Sequence, residues 1–202
     1  MEKTDLLKQD KEYYSAKNKP EIKEFDELKF LTIIGKGEPA GIEFTKAIEA
    51  SYPLAYGIKK IYKNQEMDFA VPKLEGLWWV NSEENALEVP KSEWHWKLLI
   101  RIPDFVISKE FEKAKTEVIK KKGIEKIYEI AFEKITEGKC IQIMHIGPYS
   151  TEPETIKQMK EFMKQNGLVE NGLHHEIYIS DPRKTIPEKM KTILRQPVKK
   201  NE

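Results

Sequence analysis

The stretch Cys140–Gly167, CIQIMHIGPYSTEPETIKQMKEFMKQNG, joins the pattern of a β-strand to the pattern of an α-helix through a glycine turn. Apolar residues crowd the segment before Gly147, and a bounded apolar run of this kind is typical of a strand. Gly167 lies where a helix is expected to end. The stretch therefore indicates a fold that mixes strands and helices. Its helical spacing is carried by Ile156, Met159, Phe162 and Met163.

The next predicted strand carries a carboxylate beside a tyrosine. In HHEIYISDP, His174–Pro182, the apolar run around Tyr178 is typical of the middle of a strand. Alternate residues of a strand point to the same face, so Glu176 and Tyr178 are expected side by side. Such a carboxylate belongs either to a solvated strand face or to the polar centre of a pocket. KTILRQPV, residues 191–198, predicts a last strand after a short helical turn at PEKM.

The first half of the chain repeats this order of elements. FLTIIGKGEP, residues 30–39, is again a strand that ends in a glycine turn and opens a helix. LEGLWWV, residues 74–80, and WHWKLLIRIP, residues 94–103, correspond to the two later strands. The same order of elements in both halves predicts an internal duplication, with two α+β modules at about 22–122 and 123–200 joined in one sheet. Junctions between such modules are common ligand sites.

The segments between these landmarks have weaker patterns. Residues 42–51 favour a helix, and LAYGIKKIYK after it predicts a second short helix or an irregular crossing. MDFAVPKLEGLWWV predicts two short strands broken at Pro72. Ser108 and Gly123 bracket a further predicted helix as its N-cap and its stop. KIYEIAFEKI and CIQIMHIG, on either side of TEGK, predict a β-hairpin.

The composition excludes several classes of protein. The chain has 202 residues, 39% hydrophobic and 34% charged, which is typical of a soluble globular protein. The 35 Lys and Arg residues nearly balance 34 Asp and Glu, so a dedicated nucleic-acid binder is not expected. Cys140 is the single cysteine, which excludes an intrachain disulfide and favours a reducing cytoplasm. No apolar run has the length of a signal peptide or of a membrane span, so no membrane partner is expected.

The two long motifs of the second half, from Cys140 to Gly167 and from His174 to Val198, resemble the GyrI-like small-molecule-binding domain. The first half resembles the longer, stand-alone branch of that family, so the resemblance covers nearly the whole chain after about Tyr13. It implies two SHS2-type modules with pseudo-twofold symmetry. It also implies a joined antiparallel sheet with helices on one side and a ligand pocket between the modules.

The resemblance also bears on domain organisation. Residues 1–21 are interpreted as an N-terminal arm that ends near Pro20, and residues 22–202 as a single GyrI-like domain built of the two modules. Regulators with this type of domain also carry a helix-turn-helix domain. The predicted arm is too short to hold one, so a transcription factor is not expected. The oligomeric state is left open.

Three residues are candidates for catalysis. The family's pocket carboxylate matches Glu176, which can bind a cationic or electron-poor ligand or act as a general base. Tyr149, in the turn after Gly147, matches a phenol at the pocket rim that can donate a hydrogen bond to a carbonyl. Glu75 is a second candidate carboxylate, because two carboxylates that meet from opposite modules can divide acid and base chemistry. A solvated strand face remains the alternative for Glu176.

The tryptophans are candidates for ligand binding, since flat indole rings can stack on a planar aromatic ligand. Trp94 and Trp96 share a strand face with Leu98, so core positions are an equal alternative for them. No metal site is expected, because the residues around His174 alternate between opposite strand faces. No cofactor is expected either, since GKGEPAG has the spacing of neither a phosphate loop nor a dinucleotide motif. The predicted ligand-binding residues are Trp78, Trp94, Trp96, Tyr178 and, less strongly, His145.

Two functions of different class follow from these features. Members that resemble the long branch include hydrolases that open the cyclopropane of DNA-alkylating cyclopropanoid natural products. That resemblance implies detoxification by water addition, with Tyr149 on the conjugated carbonyl and Glu176 or Glu75 orienting the water. The alternative is a non-catalytic protein that binds or sequesters planar hydrophobic molecules. Modulation of gyrase is a third possibility, which rests on family analogy alone.

Overall fold

The structure is a computed structural model that describes residues 3–82, 84 and 86–201. The described residues form four α-helices and seven β-strands. None of these helices is long and apolar enough to cross a bilayer. The helices are α1 (Leu6–Gln9), α2 (Ile42–Lys63), α3 (Ser108–Lys122) and α4 (Glu152–Gln165). The strands are β1 (Glu21–Lys36), β2 (Leu74–Trp79), β3 (His95–Arg101), β4 (Ala131–Ile146), β5 (Leu168–Glu170), β6 (His174–Tyr178) and β7 (Lys191–Lys200).

The strands form one antiparallel sheet that closes on itself. Their order is β4-β1-β3-β2-β6-β7-β5, and β7 also pairs with β4, which joins the two ends of the six longer strands into a barrel. The short β5 extends the sheet beside the end of β7. The predicted α+β class and the joined antiparallel sheet are therefore confirmed. Closure into a barrel adds a feature that sequence patterns do not reveal, because it depends on long-range pairing.

The two halves of the barrel have the same strand order. In the first half β3 lies between β1 and β2, and in the second half β7 lies between β4 and β6. The halves meet through antiparallel pairs of β1 with β4 and of β2 with β6. Gly37 follows β1 with φ 119° and Gly147 follows β4 with φ 143°, values that favour glycine. Both predicted glycine turns are therefore present at equivalent places.

The predicted hairpin between residues 126 and 147 is wrong. β4 is one strand of 16 residues that runs through the TEGK segment. Gly138 has φ 63°, yet it stays in register opposite Phe25 of β1, and Thr136 on its other side pairs with Glu27. The equally long β1 supplies pairing partners on both sides of Gly138, and this pairing overrides the local turn signal.

The predicted break in the first helix is also wrong. α2 continues for 22 residues through Pro53, although proline removes one helical hydrogen bond. Leu54, Ala55 and Ile58, just beyond the proline, are fully buried, so tertiary packing holds the second half of the helix in place. Of the two strands predicted around Pro72, only β2 forms.

Three apolar clusters stabilise the fold. One lies between the sheet and the helices α2 and α3, and a second lies between the sheet and α4. The third fills the opposite face of the sheet, which is the interior of the barrel. Strand alternation separates them, because Leu98 and Ile100 of β3 face the helices whereas Leu99 faces the interior.

The N-terminal segment packs into the barrel rather than lying apart as an arm. Tyr13 is fully buried and Leu6 and Tyr14 nearly so, all within the interior cluster. Thr4 forms a bridge with Phe69, and the guanidinium of Arg101 binds Asp10 at 2.7 Å. Its high charge predicted an arm or a partly ordered lead-in, and the structure shows that its two tyrosines supply apolar rings to the interior.

Candidate functional site

The pairing of β2 with β6 forms the junction of the two halves and sets the direction of every candidate residue on these strands. Gly76 lies opposite Glu176, and Glu75 lies opposite Ile177. Paired residues share a face, so Glu176 is on the helix side of the sheet whereas Glu75 is in the barrel interior. The predicted pair of Glu75 and Glu176 is therefore wrong, because the sheet itself separates the two carboxylates.

On the helix side, an indole and a phenol meet across the junction. Trp78 Nε1 donates a hydrogen bond to the Tyr178 hydroxyl at 3.0 Å. Gly76 lies beneath them, and a Cβ at that position would be 3.0 Å from both Trp78 Nε1 and the Tyr178 oxygen. Phe44 of α2 stacks on Trp78 with ring centroids 5.7 Å apart. We call this region the junction site; its residues are Trp78, Tyr149, Glu152, Glu176, Tyr178 and Thr192.

Tyr149 reaches the junction site from the turn that precedes α4. Its ring meets Tyr178 edge-on, with centroids 6.0 Å apart, and 41% of the residue is exposed. Burial, followed by the carboxylates of Glu152 and Glu176, raises the pKa of Tyr149 to about 12. The phenol is therefore neutral at physiological pH and can act as a hydrogen-bond donor.

His145 holds this turn in place and does not line the junction site. Its Nδ1 lies 2.8 Å from the Thr155 hydroxyl, and its Nε2 lies 3.2 Å from the Pro148 carbonyl. Both ring nitrogens are thus used within the turn and the first part of α4, and the residue is only 4% exposed. The prediction of His145 as a ligand contact is not supported by this geometry; the residue instead positions Tyr149.

Glu152, the first residue of α4, brings a second carboxylate to Glu176. It is 7% exposed, and its Oε1 is buried without a hydrogen-bond partner among the described residues. Burial and the neighbouring Glu176 raise the pKa of Glu152 to about 9, although a hydrogen bond with the Thr192 side chain opposes the shift. The helix N-terminus favours the ionised form by only about 1 kcal/mol, which is too little to reverse the shift.

Glu176 is the more accessible of the two carboxylates. Its side chain is 13% exposed, and His174 Nε2 lies 3.6 Å from its Oε1, beyond normal hydrogen-bond length. Glu176 also raises the pKa of Tyr178, after burial as the larger cause. The junction site therefore contains two phenols, two carboxylates and an indole within one partly buried region.

Glu75 belongs to a separate charged network inside the barrel. Its Oε2 accepts a hydrogen bond from the Tyr13 hydroxyl at 2.6 Å and lies 3.1 Å from His175 Nε2. His175 Nδ1 lies 2.7 Å from Glu137, which in turn binds Arg195 Nη1 at 2.7 Å. Both imidazole nitrogens face carboxylates, so the ring is held as an imidazolium. We call Tyr13, Glu75, Glu137, His175 and Arg195 the interior network.

Opposite charges lie together in the interior network. Burial alone would raise the pKa of Glu137, but His175 and Arg195 hold it at about 2. Burial alone would lower the pKa of His175, but Glu137 and Glu75 raise it to about 9. The Glu137 anion is therefore enclosed with the cations of His175 and Arg195, which explains how these groups remain ionised with little solvent exposure.

The network predicts how stability depends on pH. The folded pKa of His175 lies above its usual value of 6.5, so its contribution is complete below pH 6.5 and is lost towards pH 9. We expect the free energy of unfolding to fall over this range by on the order of 3 kcal/mol, since one pKa unit corresponds to about 1.4 kcal/mol. Urea denaturation at a series of pH values measures it. A His175→Gln variant should show a flatter profile, and an equally steep profile would contradict the assignment.

The tryptophans divide between the junction site and the core. Trp96 is fully buried, and its ring lies so close to Gly35 that a Cβ there would be 2.1 Å away. Trp94 donates its Nε1 hydrogen to the Val89 carbonyl and meets Trp78 edge-on at 6.0 Å. Trp96 is therefore a core residue. Trp78 is 8% exposed and belongs to the same apolar cluster, but its Nε1 reaches the Tyr178 hydroxyl of the junction site, and Trp94 packs against its ring.

A surface depression of about 400 Å³ lies elsewhere, between α3 and the start of β4. Phe111 stacks on Phe132 within it, and Lys115 donates to the carbonyls of Tyr128 and Ile130. Lys115, the lysine that lines this depression, therefore stabilises the turn before β4. None of the junction-site residues lines this depression.

Sequence reasoning did not identify Glu152 or Thr192 as site residues. An acidic residue in the first turn of a helix is common, because it is favoured by the helix dipole, and it carries no functional signal by itself. Thr192 lies in a strand, and threonine is common in strands, so it carries no functional signal either. The pairing of β7 with β6 places Thr192 opposite Tyr178, and the start of α4 brings Glu152 to the same region.

Comparison with known proteins gives consistent results. The profile of the family described as GyrI-like small molecule binding domain matches residues 18–199. An uncharacterized conserved protein from Listeria innocua has a crystal structure with 41% identity and a TM-score of 0.91. Two further crystal structures, each of a hydrolase from Listeria innocua, have 40% identity and TM-scores of 0.87 and 0.89. Each of the three comparisons covers 98% of this chain and 100% of the other.

A more distant structure shares the fold. The EcmrR C-terminal domain is 16% identical, with a TM-score of 0.57 over 90% of this chain and 98% of its own. Among curated proteins, no match is found.

Proposed function

This chain belongs to the GyrI-like small molecule binding domain family, and we propose that it binds planar hydrophobic molecules at the junction site and hydrolyses cyclopropanoid, DNA-alkylating compounds. The proposed biological role is detoxification in the cytoplasm. The similarity to a Listeria innocua hydrolase over nearly the full length of both chains supports an enzymatic activity. The observation that carries the proposal is the meeting of Glu176, Tyr149 and Trp78 in one partly buried site.

The proposed reaction is the addition of water to a cyclopropane that is conjugated to a carbonyl. Glu176 accepts a proton from water while the water oxygen forms a bond to a strained ring carbon. The carbon–carbon bond of the ring breaks, and its electron pair moves through the conjugated system to the carbonyl oxygen. Tyr149 donates a hydrogen bond to that oxygen as negative charge develops there. Ring strain already activates the substrate, so one base and well-placed hydrogen-bond donors are sufficient.

Two related modules provide a reason for the position of the site. We propose that the halves are SHS2-type modules related by a pseudo-twofold axis, and the common strand order supports this relation. Under this relation, β2 of one module and β6 of the other are equivalent, and their pairing creates the junction. A ligand bound there contacts side chains from both modules.

Turnover by the native protein tests the proposed hydrolysis. A planar dienone that carries a spiro-cyclopropane is incubated with a small amount of protein, and the product is identified by mass spectrometry. We expect many molecules of product per protein, each heavier than the substrate by one water. One-to-one binding without product would instead select the second candidate, a protein that sequesters the molecule without changing it.

Trp78 and Trp96 provide a matched test of the ligand surface. Trp78→Ala is expected to weaken binding of a neutral planar ligand by about 1–3 kcal/mol, because the indole wall is lost. Trp96→Ala should instead lower the free energy of unfolding by about 3–5 kcal/mol, as expected for a buried aromatic residue. Titration calorimetry and urea denaturation measure the two effects. Unchanged affinity in a folded Trp78→Ala protein would contradict the position of the ligand.

A further inference from the structure

We infer that Glu152 is the proton donor of the junction site, and that its carboxylic acid gives a proton to the carbonyl oxygen of the bound molecule while Glu176 accepts one from water. The inference extends the proposed hydrolysis and rests on it. It assigns different tasks to two carboxylates that lie in the same site.

The position of Glu152 supports this role. The residue begins α4, immediately after the turn that carries Tyr149, and 93% of its surface is removed from solvent. The nearby Thr192 side chain acts to lower its pKa, whereas Oε1 is buried and has no hydrogen-bond partner among the described residues. A buried polar atom without a partner is costly, and a bound ligand with a hydrogen-bond acceptor satisfies it if the carboxyl group is protonated.

The charges around Glu152 favour the protonated form. Glu176, on β6, acts on it as a like charge, and Tyr149 and Tyr178 nearby are neutral phenols. Lys91, before β3, is an opposing charge that acts less strongly than burial and Glu176. Two carboxylates enclosed together do not both ionise easily, so the more buried one keeps its proton.

Glu152 is a better proton donor than Tyr149 for the proposed reaction. When the ring opens, the carbonyl oxygen becomes a phenolate that must finally receive a proton. An acid whose pKa is closer to the working pH transfers a proton more readily, and the pKa of Glu152 is about 9 whereas that of Tyr149 is about 12. Tyr149 orients the carbonyl by a hydrogen bond, and Glu152 supplies the proton to its oxygen. Glu176 takes a proton from the attacking water, and the transfer of this proton to Glu152 restores both carboxyl groups. Atoms and charge therefore balance over one turnover.

The protonation of Glu152 is tested without any substrate. The native protein is labelled with ¹³C at the glutamate carboxyl carbons, and the Glu152 resonance is identified by its absence in Glu152→Gln. We expect this resonance to titrate above pH 7, and to titrate at lower pH in Glu176→Gln, where the neighbouring charge is removed. A midpoint near the ordinary glutamate value of 4.5 overturns the inference.

Kinetics then test proton donation. Glu152→Gln keeps the shape and a hydrogen-bond donor but cannot release a proton, so kcat should fall by about 10²–10⁴-fold with little change in KM. Glu154→Gln, an exposed residue of the same helical turn, is the matched control and should keep native kcat. Native kcat in Glu152→Gln overturns the inference. Absence of turnover by the native protein rejects the proposed hydrolysis itself, and the titration still decides whether Glu152 holds a proton.

Discussion

Replacing Glu137 by Gln is expected to lower the free energy of unfolding by about 3–5 kcal/mol, the usual effect of removing one partner from a buried ion pair. The substitution keeps the size of the side chain but removes the anion that His175 and Arg195 share. Arg195 is fully buried, so water cannot reach its charge and replace the lost carboxylate. Urea denaturation near pH 6, where Glu137 is ionised and His175 is protonated, measures the loss.

Glu133→Gln is the matched control for this effect. Glu133 lies on the same strand and forms an ion pair with Lys97 at 2.8 Å, but its side chain is 32% exposed. Water stabilises the charges of such a pair separately, so the substitution should change stability by about 1 kcal/mol or less. If the two variants lose equal stability, the interior network does not depend on its charges and the folding role assigned to it is wrong.

Individual helices and strands of the fold could be predicted from the sequence, because the apolar spacing that indicates them lies within a short segment. The helix after Gly147 and the strand around Tyr178 follow from apolar spacing that the structure keeps. The hairpin predicted around Gly138 is wrong because the structure of this segment depends on long-range pairing. TEGK has the composition of a turn, but whether the chain turns there depends on β1, a strand more than a hundred residues earlier. Local propensity cannot include that partner.

The candidate site was partly predictable for the same reason. Strand alternation alone places Glu176 and Tyr178 on one face, and the structure agrees. Whether Glu75 joins them depends on the register between β2 and β6, and a shift of one residue reverses every side chain. The observed register sends Glu75 to the interior network, where HHEIY also places His175. Adjacent residues of β6 therefore serve two different purposes, stability on one face and ligand chemistry on the other.

Trp96 shows that composition alone does not predict whether a tryptophan binds a ligand or lies in the core. Four tryptophans between residues 78 and 96 are compatible with either an aromatic binding wall or a core, and the sequence leaves both open. The deciding feature is Gly35 on a neighbouring strand, which leaves room for the Trp96 ring to lie directly on the backbone. Such a contact depends on the register of β1 with β3, and neither residue indicates it alone.

Glu176→Gln should lower kcat for the cyclopropane substrate by about 10²–10⁴-fold, the usual contribution of a general base. Glutamine keeps the shape of the side chain and its hydrogen bonding but cannot accept the proton of the attacking water. Binding of a neutral planar ligand should remain nearly unchanged, because the indole of Trp78 and the rings around it are retained. Product formation and ligand affinity are measured on the same preparation, with exposed Glu170→Gln as the control for loss of one negative charge.

The pattern of the two measurements on Glu176→Gln separates three roles for the residue. Loss of kcat with intact affinity identifies the base. Loss of affinity for a cationic planar ligand, with no turnover by the native protein, identifies a charge partner in a sequestering protein. If neither changes and the stability moves by less than about 0.5 kcal/mol, Glu176 is only a strand surface residue. That last result removes the central group of the junction site, and with it both the proposed hydrolysis and the pairing of Glu176 with Glu152.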